Sequence, residues 1–206
     1  MKSSKKNNQE IKEKIMEYIA HSENSFQEAH SLSKHLIETA KISSSFAWKE
    51  DYKSIFYLTG LLHDLGKYQN AFQEYIRTGG KRGSVPHASW GAGYARCEGM
   101  LETSFVIDGH HKGIPDSSSW KVDTEPFKRN EIEEFKNVVA QFTEETKNNE
   151  NDFRKETLDE IKKTPSHREA FIRYLFSALT DSDWLSTEKH FNKGVSDIRI
   201  DTPLPI

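Results

Sequence analysis

The chain has 206 residues, enough for one domain with a real core and a tight fit for two. Hydrophobic residues make up 34% and charged residues 30%, while 12 Phe, 7 Tyr and 4 Trp supply large buried areas, as expected of a soluble globular protein. A net charge of -3 does not advertise nucleic-acid binding, and with no apolar run near 18 residues and no apolar region in MKSSKKNNQEIKEK, neither a membrane span nor a secretory signal is read.

Residues 1–9 are polar and expected to fray. The spacing of Ile11, Ile15, Tyr18 and Ile19 predicts a first helix. Leu32, Leu36 and Ala40 predict a second over 31–46, and a third covers about 52–64, ending on His63-Asp64. The Gly-rich TGGKRGSVP reads as an exposed loop before an element over Val85 to Met100. Cys97 is the single cysteine, which rules out an internal disulfide and fits a reducing, cytoplasmic compartment. FVIDGHHKGIPD (105–116) reads as a short helix or strand broken by Gly109, Gly113 and Pro115, and SSSWKVDTEPFKRN as a surface loop. Glu131 to about Lys163 is read as a charged, solvated helical face, and His167 to about Thr187 as the last strong helix, burying Phe171, Tyr174, Leu175, Ala178 and Leu179. Residues from about 195 to 206, with prolines in DTPLPI, read as a tail or the start of a linker. The expectation is an all-α fold, one domain over 1–206, without repeats.

The chemistry concentrates in LTGLLHDLGKYQNAF. An apolar helix that ends on an imidazole, a carboxylate and an ammonium is costly unless something compensates the charges, and a metal ion is one such compensation. Of nine histidines, His35, His63, His87, His110 and His111 fall where predicted helices end or turn, along with Asp64. Imidazole mixed with carboxylate suits Mn, Fe, Co, Ni or Zn, whereas an all-oxygen site suits Mg or Ca. The adjacent pair in GHHKG could face one pocket only from a turn or helix end. Blander readings stand beside these: His87 as a cap after Pro86, His35 as a core histidine with His21 and His30 as competitors, and His30, His167 and His190 as surface or capping residues. At roughly 100° per residue, Asp181 and Asp183 flank the apolar face of the last helix, and periodicity does not choose between them.

The ordered set of YIAHS, KHLIETAK, GLLHDLGKYQNAFQEYI, HASWGA, DGHHKGIPD and RYLFSALTDSDWLSTE resembles the HD metal-dependent phosphohydrolases. Within them it is most similar to the HD nuclease of the type I CRISPR helicase-nuclease, over about Tyr18 to Phe191. The resemblance implies an HD-domain helical bundle with a metal site between helices and two divalent ions. His35, His63, Asp64 and a late Asp hold one ion; Asp64 bridges to a second held by His87, His110 and His111. Asp183, followed by Trp and an aliphatic residue, matches the family better than Asp181, which is left as an outer or alternative ligand. Lys67 is suited to meet a phosphate oxygen or to balance the carboxylates. Mn, Fe, Co or Ni are expected ahead of Mg, with Zn admissible.

The implied activity is cleavage of single-stranded DNA in CRISPR interference, as endonuclease or exonuclease. The strand would be supplied by a helicase domain, in cis or in trans, and by a guide-RNA surveillance complex. No GxxxxGK[ST] loop occurs, so unwinding is not expected of this chain itself. The alternatives are an HD phosphohydrolase acting on nucleotides or cyclic nucleotides, and a catalytically silent docking module.

Overall fold

In the computed structural model, residues 18–25, 27–81, 83–147 and 159–201 are described. A short strand pair opens this part: β1 (Ile19–His21) runs antiparallel to β2 (His30–Ser31), with an irregularity between the paired positions. Ten α-helices follow among the described residues. They are α1 (Leu32–Ser45), α2 (Lys53–Leu62), α3 (Asn70–Thr78), α4 (Ala88–Cys97), α5 (Leu101–Gly109), α6 (Ser117–Lys128), α7 (Phe135–Thr146), α8 (Asp159–Lys162), α9 (Pro165–Phe191) and α10 (Lys193–Asp201). Single 3-10 turns at Glu50–Tyr52 and Leu65–Tyr68 bracket α2. The expected all-α class is the observed one.

The centre is α2. It is apolar around most of its circumference, so it must be buried on most sides. Ile55, Phe56, Leu58, Leu61 and Leu62 are all buried, and α1, α5 and α9 pack around it. Gly60 sets how closely α1 approaches. A Cβ there would lie 2.7 Å from Ala40 Cα and 2.8 Å from the Thr39 carbonyl oxygen, so any side chain would push the two helices apart. The polar Thr59 within this core is satisfied by the Ile55 carbonyl at 2.8 Å and faces Thr103 Oγ1 at 3.1 Å. The longest helix, α9, starts with Pro165 after Thr164, whose side chain accepts the His167 backbone N–H at 3.2 Å. It buries Phe171, Leu175, Ala178 and Leu179 against α1, α2 and α5, whereas Tyr174, expected on the same buried face, is 44% exposed.

Several sequence expectations need correction. The stretch read as a surface loop, SSSWKVDTEPFKRN, is largely the helix α6. Asp116 caps it, accepting the backbone N–H groups of Ser118 and Ser119 at 2.8 and 2.9 Å, and Trp120, Thr124 and Phe127 form a buried stripe at intervals of four and three. Pro126, near its C-terminal end, forfeits only one rung of the backbone ladder. The first predicted helix lies mostly outside the described residues, but its last member is different: Ile19 belongs to β1. The Gln73 amide completes that strand edge, giving Nε2 to the Ile19 carbonyl at 2.9 Å and accepting the Ile19 N–H at 3.1 Å. Residues 195–201, read as part of a tail, belong to the helix α10, while 202–206 lie outside the described residues.

Candidate metal centre

The side chains singled out in the sequence converge where helices end. His63 and Asp64 follow the last residue of α2, and Lys67 sits in the 3-10 turn behind them. His87 occupies the N-cap of α4, and His110 and His111 follow α5. His35 comes from the first half of α1 and Asp183 from the second half of α9. One donor group gathers His35, His63, Asp64 and Asp183; another gathers Asp64, His87, His110 and His111. Within each, one ligand-type atom per residue lies within 4.8 Å of all the others.

Asp64 belongs to both, and its two oxygens divide the work. Oδ2 lies 3.2 Å from His63 Nε2 and 3.5 Å from His35 Nε2, while Oδ1 lies 3.2 Å from His87 Nε2 and 3.5 Å from His110 Nε2. Asp183 Oδ1 closes the first group at 3.2 Å from His35 Nε2 and 3.6 Å from His63 Nε2. His87 and His111 bring their Nε2 atoms to 2.9 Å of each other on the open side. Asp181 is exposed and belongs to neither group.

The histidines are held by their far nitrogens. His63 Nδ1 donates to the Gly60 carbonyl at 2.7 Å, and His110 Nδ1 to the Ile107 carbonyl at 2.6 Å. Both residues stand just past a helix, so the ring turns back onto the carbonyl three residues earlier. A carbonyl only accepts, which puts the proton on Nδ1 and leaves the Nε2 lone pair aimed inward. His35 Nδ1 instead meets Ser186 Oγ of α9 at 3.1 Å.

A divalent cation fits this donor set. The Nε2 atoms of His35, His63 and His110 and Oδ1 of Asp64 are buried without a hydrogen-bond partner, a costly arrangement that an ion at the focus would relieve. Electrostatics point the same way. Burial alone would raise the Asp64 carboxyl, but Lys67, His63, His110 and His35 hold it well below the usual carboxylate range. Asp183 is likewise held well below, despite burial, by the neighbouring His35 and His63 rings. Burial pushes His63 down, yet Asp64 and Asp183 prevail and raise it to about 10, which marks how strongly the two carboxylates favour a cation at this focus. His87 is lowered, chiefly by burial. Lys67 is 5% exposed, with Nζ at 2.7 Å from Asp64 Oδ2 and 3.1 Å from the Ala20 carbonyl. Of its two expected uses, this geometry serves balance of the carboxylate.

Other histidines gather behind the site. His30, expected at the surface, is 4% exposed and stacks on His190 with ring centroids 4.1 Å apart. His21 and His30 lie 5.1 Å from the His35 ring, and burial holds both at about 3, so they are neutral. The short β-pair places them there, and helical periodicity carries no sign of it. His167 is exposed. Ser186 and Glu38 were also missed. Each stands three residues after a member of the site, Asp183 and His35, but neither is a residue type that draws attention.

A family model described as the Cas3 HD domain matches residues 2–191. The chain belongs to the Cas3 HD-domain family. As a Cas3 HD domain it is a CRISPR-associated HD nuclease domain, a metal-dependent hydrolase by class. No curated protein matches the chain. No helix among the described residues of this Cas3 HD domain is long and apolar enough to cross a membrane.

Proposed function

We propose that the chain hydrolyses phosphodiesters of single-stranded DNA with two divalent ions, as the cutting step of CRISPR interference in the cytoplasm. The observation that carries this reading is the Asp64 carboxylate, whose two oxygens face two different imidazole groups. His35, His63, Asp64 and Asp183 would hold one ion, and Asp64, His87, His110 and His111 the other, with Mn, Fe, Co or Ni favoured over Mg by the imidazole-rich donors. Bound there, two such ions would supply polarisation of a scissile phosphate, activation of water and stabilisation of the leaving oxygen.

The chain's own part is preorganisation. Helix-anchored histidines fix the donor directions, and Lys67 offsets the negative charge of Asp64 without leaving the interior. The second donor group is the accessible one, since His111 is exposed. Trp184, which follows Asp183 in sequence and is 73% exposed, offers a stacking face for an unpaired base. A protein of net charge -3 has little long-range attraction for a duplex, and a flexible strand bends a phosphate into a recess at lower cost than a stiff double helix. A helicase domain and a guide-RNA complex would deliver that strand.

The test is a matched pair of labelled oligonucleotides, one single-stranded and one blunt duplex, digested with Mn-loaded protein at low salt. The single strand should be cut and the duplex largely spared. Faster cutting of the duplex overturns the substrate, and rapid nucleotide hydrolysis with neither oligonucleotide cut moves the activity to nucleotides.

A further inference from the structure

We propose that Ser186 and Glu38 are positioning residues that set the tautomer and direction of His35 as a metal donor. This rests on the metal-centre reading above. His63 and His110 stand past helix ends, where a backbone carbonyl is free to take the Nδ1 proton. His35 lies inside α1 and takes a partner from α9 instead, with Nδ1 at 3.1 Å from Ser186 Oγ. Ser186 Oγ is also 3.2 Å from Glu38 Oε2, and a carboxylate can only accept. The one hydroxyl hydrogen therefore goes to Glu38. Ser186 must then accept from His35, which places the imidazole proton on Nδ1 and the lone pair on Nε2. That nitrogen faces Asp183 at 3.2 Å and Asp64 at 3.5 Å.

The chain of bonds closes on itself. Glu38 Oε1 pairs with Lys189, so His35 and Glu38 on α1 are tied to Ser186 and Lys189 on α9. Both helices use a three-residue step: 35 and 38 on one, 183, 186 and 189 on the other. Asp183 is the first residue of the second series. The same contact that orients one donor thereby fixes the height of the other, and the Glu38 charge strengthens His35 as a ligand through the hydroxyl. The outer end opens into a cleft of about 920 Å³ lined by Glu38, Lys189, His30 and His190, away from Asp64, so it can be altered without touching the ions' other donors.

Mn²⁺ affinity of the purified chain, measured by calorimetry and by competition with a chelating dye, tests this on Ser186→Ala, Glu38→Gln and Ser186→Thr. Outer partners of this kind are worth roughly 10–100-fold in metal affinity. Ser186→Ala should lose that much, Glu38→Gln a smaller factor because its amide oxygen can still accept, and Ser186→Thr, which keeps the hydroxyl, should stay near the parent. The melting temperature of the metal-free protein should be nearly unchanged. Parental affinity in Ser186→Ala overturns the proposal, and if that variant does not fold, parental affinity in Glu38→Gln does so. A fall in affinity matched by a collapse of the metal-free melting temperature also overturns it, in favour of a purely structural contact. Absence of Mn²⁺ binding to the parent protein overturns the metal-centre reading itself, a separate result.

Discussion

Gly66 is where a single methyl group should pull the centre apart. It lies in the 3-10 turn that follows Asp64, pressed against the residue that caps α4. A Cβ at this position would lie 2.2 Å from the His87 carbonyl oxygen, 2.8 Å from His87 Cα and 2.8 Å from Trp90 Cβ. Since carbon and oxygen rarely approach closer than about 3.3 Å, the two segments must part by about 1 Å. The first contact to suffer is His87 Nε2 to Asp64 Oδ1, now 3.2 Å, which holds the second donor group to the shared carboxylate. Overpacking of this kind costs about 1–3 kcal/mol. At about 2–4 °C per kcal/mol for a chain of this size, Gly66→Ala should melt roughly 2–12 °C below the parent. A misplacement of about 1 Å at a reacting centre costs on the order of a hundredfold in rate, so cleavage should fall further than stability. Thermal melts with and without Mn²⁺, beside cleavage of a labelled single strand, measure both. Gly194→Ala is the control, because nothing lies within 4 Å of that position and alanine suits the helix. If Gly66→Ala melts within a degree of the parent and keeps parental Mn²⁺ binding, close approach at this turn is not what holds the centre.

Removal of metal by a chelator should stop cleavage, with Mn, Co or Ni restoring it better than Mg; cleavage undiminished in excess chelator would refute the metal-centre reading. Saturation at about one hundred times Kd adds about 2.7 kcal/mol, which a melt should register as roughly 5–10 °C. Asp64→Asn should be the most damaging single change at the centre, abolishing cleavage and weakening both ions, whereas exposed His167→Ala should leave cleavage intact; equal losses from two folded variants, checked by circular dichroism, would misplace the site. At the cap of α6, hydrogen bonds from Ser118 and Ser119 lower Asp116 from 3.8 to about 2. A depressed carboxyl stabilises the fold above its unfolded value and loses that effect as pH falls. The difference in urea midpoint between the parent and Asp116→Ala should therefore be full above pH 4 and shrink towards pH 2, and a difference constant across that range would contradict the capping role.

The parts of this fold that the sequence discloses are those governed by local pattern. The apolar circumference of α2, the stripe of α9 apart from the exposed Tyr174, and the glycine-rich break before α4 each follow from neighbours within a few residues, and the structure has them. Chemistry was legible for a different reason: adjacent His63-Asp64 and His110-His111 have few uses other than convergence. The choice between Asp181 and Asp183 lay beyond periodicity because both flank the same stripe, and only the docking of α9 on α1 turns Asp183 inward. The β-pair was missed because its edge is completed by Gln73, 54 positions from Ile19, and α6 because its helix is declared by a capping aspartate and three buried residues amid polar neighbours. The burial of His30 is likewise a product of tertiary contact with α9, through His190.

The order in which the chain is made gives the position of Asp183 a temporal meaning. His35, His63, Asp64, His87, His110 and His111 all precede α7, whereas Asp183 and Ser186 lie on α9, behind α8. A nascent chain that has folded through α6 would hold every donor of the second group but would lack the fourth donor of the first. The full centre forms only when α9 docks across α1 and α2, the same event that buries Phe171, Leu175 and Leu179. Burial of the core and completion of this donor group thus coincide: the last long helix supplies both.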